Sequence, residues 1–401
     1  MNIKNDFPIL SSSEEDKKPL IYFDNASTTQ KPQVVIDSIV EYYSQYNANI
    51  HRGSYSIAEK ATKKYEEARY KIAKLINADI EEIIFTSGTT ESINFIAYAY
   101  GNSLQDGDEI IISEMEHHSN IVPWQMLISN KNIKLKYIPL LNTGELDLKK
   151  FKELITKKTK LISIIHMSNI IGTINPITEI INIAHNNNIH ILIDAAQSIA
   201  HQKIDVKKLS CDFLAFSGHK IMGPTGIGVL YINKKIIHSI EPFMRGGHMI
   251  KTVSLQTSTW NDVPWRFEAG TGNISQAIGL AKSIDYIQSI GLENIKKYTD
   301  KLLIHLLSKL KKVSGISIYG HHSKSGPIVS FNIKGCHPYD IAKLLDNYGI
   351  CIRSGHHCGQ LLMEALSINF SCRVSLFAYN SIEEIDYFMN SLKKVVTILK
   401  K

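Results

Sequence analysis

Between residues 82 and 232 the chain alternates short apolar runs with amphipathic stretches, and that alternation restricts its fold more than any other feature. Runs at Glu82–Thr86, Glu109–Ser113, Lys134–Ile138, Leu161–Met167 and Ile189–Asp194 have the length of strands. Thr90–Tyr100 and Asn120–Ser129, lying between them, have helical spacing, and Asp212–Phe216 and Val229–Ile232 extend the series. Strands separated by helices pair mainly in parallel and are covered on both faces, so the expectation is an α/β fold. Upstream, Ile21–Phe23 reads as a short strand, the turn Asp24–Thr29 follows, and Pro32 sits in a first helical turn. A long amphipathic helix ends near Ile76, and Lys149–Lys160 reads as a solvated helix face. Beyond Asn273 helical spacing runs to about Gly291 and again to Val313. Strands at Pro327–Ile333, Ile350–Arg353 and Cys372–Leu376 then alternate with helices at Pro338–Asn347 and Ser381–Lys400. This predicts a loose N-terminal arm over 1–20, a large domain over 21–285 and a smaller α+β domain over 286–401.

The apolar run Asp212–Phe216 stops at Ser217-Gly218-His219-Lys220, which puts a lysine at the end of a buried strand. Such a lysine is costly unless it is neutralised or bonded covalently, and a desolvated, unprotonated amine is what Schiff-base chemistry requires. The preceding run ends on Asp194, followed by Ala195, Ala196 and Gln197. Open α/β sheets bind ligands outside the carboxyl ends of their strands. A carboxylate and a lysine on successive strand ends suit pyridoxal phosphate: the lysine takes the aldehyde, and the carboxylate keeps the pyridine nitrogen protonated. Asp194 alone would serve equally as a helix cap.

Phe85-Thr86-Ser87-Gly88-Thr89-Thr90-Glu91 joins a strand to a helix, and the amides and hydroxyls of Thr89 and Thr90 form an anion site suited to the cofactor phosphate. Gly223–Gly228 lacks the ending of a P-loop. The pair His117-His118 reads as a lid over a flat cofactor, as zinc ligands or as surface residues. The absence of a His-x-x-x-His spacing disfavours zinc. Arg353-Ser354-Gly355-His356-His357-Cys358-Gly359 offers a thiol beside histidines and an arginine, and Arg373 is suited to a bidentate grip on a carboxylate.

The net charge of +7 comes from lysines interleaved with apolar residues, which is a solvated helix face and not a nucleic-acid surface. No apolar run approaches the roughly 20 residues of a membrane span. Five scattered cysteines without a Cys-x-x-Cys pair argue for a reducing compartment. Met1–Asp6 has neither signal-peptide nor transit-peptide character, so a cytoplasmic location is expected.

Together, Asp194-Ala195-Ala196-Gln197, Ser217-Gly218-His219-Lys220, Glu116-His117-His118 with Ile121-Val122-Pro123-Trp124, and Arg353–Cys358 resemble the SufS-type (group II) cysteine desulfurases of the class-V aminotransferase family. The likeness covers essentially the whole chain in order. It implies a fold-type I transferase: a large domain with a mainly parallel seven-stranded sheet and a smaller C-terminal domain, paired as a homodimer. It places pyridoxal 5'-phosphate on Lys220, with Asp194 at the ring nitrogen, Gln197 at the ring hydroxyl and His117 stacked on the ring. Thr90, Ser217 and His219 would hold the phosphate, with Thr271 reaching across from the other subunit. Asn169 and Arg373 would take the substrate carboxylate, while His51 and Arg353 would line the entrance. L-cysteine would become L-alanine, with the sulfur held as a Cys358 persulfide for an acceptor of SufE or SufU type and for iron-sulfur cluster assembly. No metal would be required. A selenocysteine lyase, acting on L-selenocysteine, or a zinc-binding protein is the alternative. Two departures stand out: Gly359-Gln360-Leu361 lacks the usual proline, and His248 stands where an acidic residue is common.

Overall fold

The structure, a computed structural model, describes residues 1, 3–11, 20–320 and 324–400. Its strands are β1 (Ile21–Tyr22), β2 (Ile83–Thr86), β3 (Glu109–Ser113), β4 (Lys134–Ile138), β5 (Thr159–Ile165), β6 (His190–Asp194), β7 (Phe213–Ser217) and β8 (Gly228–Ile232). They continue with β9 (Ile250–Val253), β10 (Ser258–Trp260), β11 (Ile316–Tyr319), β12 (Ile328–Ile333), β13 (Ile350–Cys351), β14 (Arg353–Gly355) and β15 (Ser371–Ser375). Seven of them form one sheet in the order β2-β8-β7-β6-β5-β3-β4, parallel except for β8, which opposes both of its neighbours. Successive side chains on a strand point to opposite faces. Ile110 and Ile112 of β3 accordingly enter one apolar core, and Ile111 enters the other. This is why the strand sequences are apolar throughout: both faces are buried.

The second sheet is antiparallel, in the order β11-β12-β15-β14. Val329, Phe331 and Val374 from its strands share a core with Leu302, Leu306, Phe388 and Leu392, which come from the helices Leu292–Leu310 and Ile382–Leu399. β1 pairs in parallel with β13, so Ile21 and Phe23 pack into this C-terminal core although they begin the chain.

Two sequence expectations differ from the structure, and one element had no counterpart among them. The helix expected over Lys149–Lys160 covers only Leu148–Leu154, and β5 already begins at Thr159. The hydroxyls of Thr156 and Thr159 donate to Glu109 Oε2, which ends the helix and starts the strand. The hairpin β9–β10 was not foreseen, because Val253 and Leu255 are exposed and no buried face supplies an alternation. The arm expected to be loose is docked at Phe7, which is fully buried with its ring 4.6 Å from that of Tyr379; residues 12–19 lie outside the described residues. No helix among the described residues is long and apolar enough to cross a membrane.

Candidate active site

β6 ends on Asp194, and one short turn beyond β7 lies Lys220. Register pairing of Asp194 with Ala215 sets these strand ends side by side. Both residues face a cavity of about 200 Å³ that is closed on its far side by Arg353, Cys358 and Arg373 from the second sheet and its loop. Lys220 is reached only partly by solvent, and burial lowers its pKa to about 8 against the opposing pull of Asp194. Asp194 is 2% exposed; its Oδ1 accepts the Ala196 amide at 2.8 Å, and burial raises its carboxyl pKa, partly offset by that amide and by Lys220. A buried carboxylate with so little compensation favours a cationic donor in the cavity.

The opposite end of the cavity is a cradle. Ser217 Oγ accepts the Thr89 amide at 2.9 Å and lies 2.8 Å from Thr89 Oγ1, while Thr90 Oγ1 lies 2.7 Å from Ser119 Oγ. These groups crown the N-terminus of the helix Thr89–Ala99, where amides and the helix dipole favour an anion. The cradle depends on backbone contact: a Cβ at Gly228 would sit 2.4 Å from Gly88 Cα. His219 at the rim is kept neutral by burial first and then by Lys220 and Lys31, which lower its pKa to about 4.

His117 is neutral as well, lowered to about 3 by burial and then by Lys220. Its Nδ1 accepts the Ser119 amide at 3.1 Å, so Nε2 carries the proton. Gln197 donates from Nε2 to the Ala26 carbonyl at 2.7 Å and retains a second N–H and its carbonyl. A near-neutral lysine for an aldehyde, a buried carboxylate for a ring nitrogen, a flat neutral histidine and an anion cradle fit pyridoxal phosphate.

Arg373 is 2% exposed and donates to the Asn169 carbonyl at 2.9 Å and to Asp24 Oδ1 at 2.7 Å. Its Nε has no partner, so part of the five-donor fork remains open to a carboxylate. Arg353 donates to Ser27 Oγ at 2.6 Å. Asn169 donates from Nδ2 to the His357 carbonyl at 2.8 Å, leaving a buried, unpartnered Oδ1. Cys358 is an exposed free thiol on the same cavity.

Two of the expected site residues stand apart. His51 does not line this cavity; its ring stacks on His248 with centroids 4.6 Å apart, and its Nε2 lies 3.5 Å from Glu66. Exposed Thr271 lines a separate cavity beside Glu268 and His248. Sequence reading missed Asp24, whose partner Arg373 lies 349 positions away, and Glu116, a fully buried carboxyl whose pKa is pushed up to about 8 by burial. It also left the role of His118 open. Among the described residues, no group of three or more His, Cys, Asp or Glu side chains is arranged to hold a metal ion.

Fold and pocket together define a fold-type I pyridoxal-phosphate enzyme. Residues 21–388 match the family model for class-V aminotransferases. A cysteine desulfurase of Wigglesworthia glossinidia brevipalpis is 48% identical across 100% of this chain and 98% of its own length. One from Escherichia coli O8 (strain IAI1) is 44% identical across 99% and 98%. The apo structure of a cysteine desulfurase from Thermococcus onnurineus NA1 matches with a TM-score of 0.94 at 42% identity, covering 98% of this chain and 97% of that one. The Escherichia coli cysteine desulfurase CsdA, in an S-sulfonic acid form, gives 0.92 at 34%, covering 99% and 98%. The chain belongs to the class-V aminotransferase family, and within it is a pyridoxal-phosphate-dependent cysteine desulfurase.

Proposed function

We propose that this desulfurase is of the SufS type and moves the sulfur of L-cysteine onto Cys358, leaving L-alanine. What carries the reading is the meeting, in one cavity, of an exposed thiol with a buried Lys220–Asp194 pair. Bound there, pyridoxal phosphate supplies the electron sink that loosens the bonds at the substrate Cα. Asp194 would hold a proton at the ring nitrogen, and Thr89, Thr90, Ser217 and His219 would hold the phosphate. Gln197 would hold the ring hydroxyl, and neutral His117 would hold the ring. The open donors of Arg373, with Asn169 beside it, orient the substrate carboxylate, and Arg353 lines the approach.

Lys220, its pKa lowered to about 8 by burial, moves the Cα proton at its Nζ. Cys358 Sγ, as thiolate, attacks the substrate sulfur. An S–S bond forms, the substrate Cβ–Sγ bond breaks, and its electron pair stays on carbon, where a proton completes the methyl group of alanine. Enzyme thiol and L-cysteine thus become enzyme persulfide and L-alanine, with no outside oxidant or reductant.

β14 ends at Gly355 and the helix Gln360–Ala365 follows Cys358 almost at once, so the thiol has little freedom to travel. An acceptor of the SufE or SufU type therefore reaches in for the sulfur, which serves iron-sulfur cluster assembly in the cytoplasm. Thr271, exposed and outside its own chain's cavity, serves the neighbouring active site of a homodimer, and His51 packs near that contact. The test is alanine formation from L-cysteine by Cys358→Ala without added reductant. Turnover should vanish while the cofactor's visible absorbance persists. Alanine production at the wild-type rate would end the assignment of the nucleophile.

A further inference from the structure

His357 and Cys358 both adopt left-handed backbone conformations, with φ 55° and 58°. Two consecutive side-chain-bearing residues in that region are strained, and they stay there only if their surroundings hold them. On one side the Asn169 amide holds the His357 carbonyl at 2.8 Å, and His357 Nε2 reaches Ser371 Oγ at 3.0 Å. On the other side stands His118. Its backbone N–H donates to the Cys358 carbonyl at 2.8 Å, and its ring Nε2 accepts the Gln360 amide at 3.1 Å. The two bonds bracket Cys358 from a turn whose preceding residue, His117, covers the cofactor site. The packing leaves no slack between them, since a Cβ on Gly359 would lie 2.5 Å from Ile170 Cδ1.

An imidazole can accept the Gln360 amide only while Nε2 is unprotonated, which places the proton of the neutral ring on Nδ1. The titratable groups acting on the ring are His117, whose centroid is 6.3 Å away, and His356. We infer that His118 is a positioning residue for the nucleophile: its ring nitrogen holds the strained His357–Cys358 backbone in register with the cavity, and protonation of that nitrogen releases it. The inference rests on the reading of Cys358 as the nucleophile. Burial and the charge of His356 both disfavour the proton, so the clasp is kept closed near neutrality and opens on acidification.

The experiment uses holoenzyme with His118→Phe, which keeps a ring but has no acceptor, and His118→Gln, whose carbonyl can take the Gln360 amide but does not titrate. Alkylation of Cys358 by iodoacetamide, followed on its own peptide, is measured against pH beside kcat, KM for L-cysteine and the cofactor absorbance. His118→Phe should lower kcat on the order of tenfold to 100-fold with KM and absorbance little changed. His118→Gln should restore kcat to within about threefold of wild type. Wild type should show an acid-side inflection in Cys358 alkylation that both variants lose, and a wild-type profile without one would refute the inference. If His118→Phe matches wild type in kcat and in alkylation, the inference is wrong. Should that variant fail to hold cofactor, an unchanged inflection in His118→Gln refutes the inference by itself. Alkylation is read without turnover, so a Cys358→Ala enzyme that still made alanine would overturn the nucleophile and leave the clasp separately decided.

Discussion

Lys220 has its pKa lowered from 10.5 to about 8 because burial removes the water that would solvate its charge. Two consequences follow from that sign. In the cofactor-free protein the amine that must meet an aldehyde is unprotonated mainly above pH 8, so uptake of pyridoxal phosphate should accelerate as pH rises through about 8. The regain of visible absorbance by apoprotein, followed across pH 6.5 to pH 9.5 in roughly half-unit steps, checks this; a rate indifferent to pH would refute it. The unfolded chain, moreover, keeps the lysine proton to a higher pH than the native one. Native stability should therefore rise between 8 and 10.5, by on the order of 3 kcal/mol from this group alone. Asp194 faces the same burial with the opposite consequence: its carboxyl pKa is raised, and a cation in the cavity would favour the carboxylate. Asp194→Asn should keep the shape and lose the charge, with alanine formation falling about 100-fold or more while cofactor remains bound.

At the level of elements, the phosphate cradle is a contact between two backbones. β8 passes so close beneath the Gly88 turn that a methyl group at position 228 would meet Gly88 Cα, C and N all within 2.7 Å. Neither side can yield without shifting a sheet strand or a helix N-terminus. Gly228→Ala should thus weaken cofactor affinity by about tenfold or more and lower the unfolding free energy by about 1–3 kcal/mol. Cofactor titration and urea unfolding measure the two, and an unaltered affinity would show that the turn does not depend on this approach. The glycine lies in the Gly-rich segment Gly223–Gly228, which the sequence marks only as lacking the ending of a P-loop. Its importance comes from antiparallel pairing of β8 with β2, which aligns Gly228 with Thr86. The strands themselves were legible, because burial on both faces writes an apolar run into the sequence. The hairpin β9–β10 and the end of the helix at Leu154 were not, since exposed strands and hydroxyl caps leave no periodic trace.

Across the whole molecule, residues 21–30 join the two sheets at the site. Asn25 Nδ2 donates to the Ser375 carbonyl at 2.7 Å and lies 3.1 Å from Asn380 Oδ1, and Tyr379 donates to Asn25 Oδ1. Thr29 donates its amide to the His219 carbonyl at 3.0 Å, beside Lys220. Asn25→Ala leaves several buried partners unpaired and should cost about 3 kcal/mol in urea unfolding; a loss under about 0.5 kcal/mol would show that the joint is unimportant. Acid should also unfold the protein. His166 and His201 are lowered to about 4 and His357 to about 2, all chiefly by burial. The unfolded chain takes up protons near 6.5 where the native one does not, so stability falls from pH 6.5 downward, by about 1.4 kcal/mol per unit for each such histidine. A urea midpoint that is flat between pH 6.5 and 5 would contradict this.

Local sequence by itself determined the strand ends that carry Asp194 and Lys220, the helix N-terminus at Thr89 and Thr90, and the cysteine beside its histidines. Each is a short segment whose apolar run, turn or cap is complete within about ten residues. Only tertiary structure decided that Asp24 would grip Arg373, that Glu116 would be sealed in the core, and that His118 would hold the loop of Cys358. Those pairings span up to 349 positions, and they exist because two separately packed cores dock along one cavity, which no local pattern records.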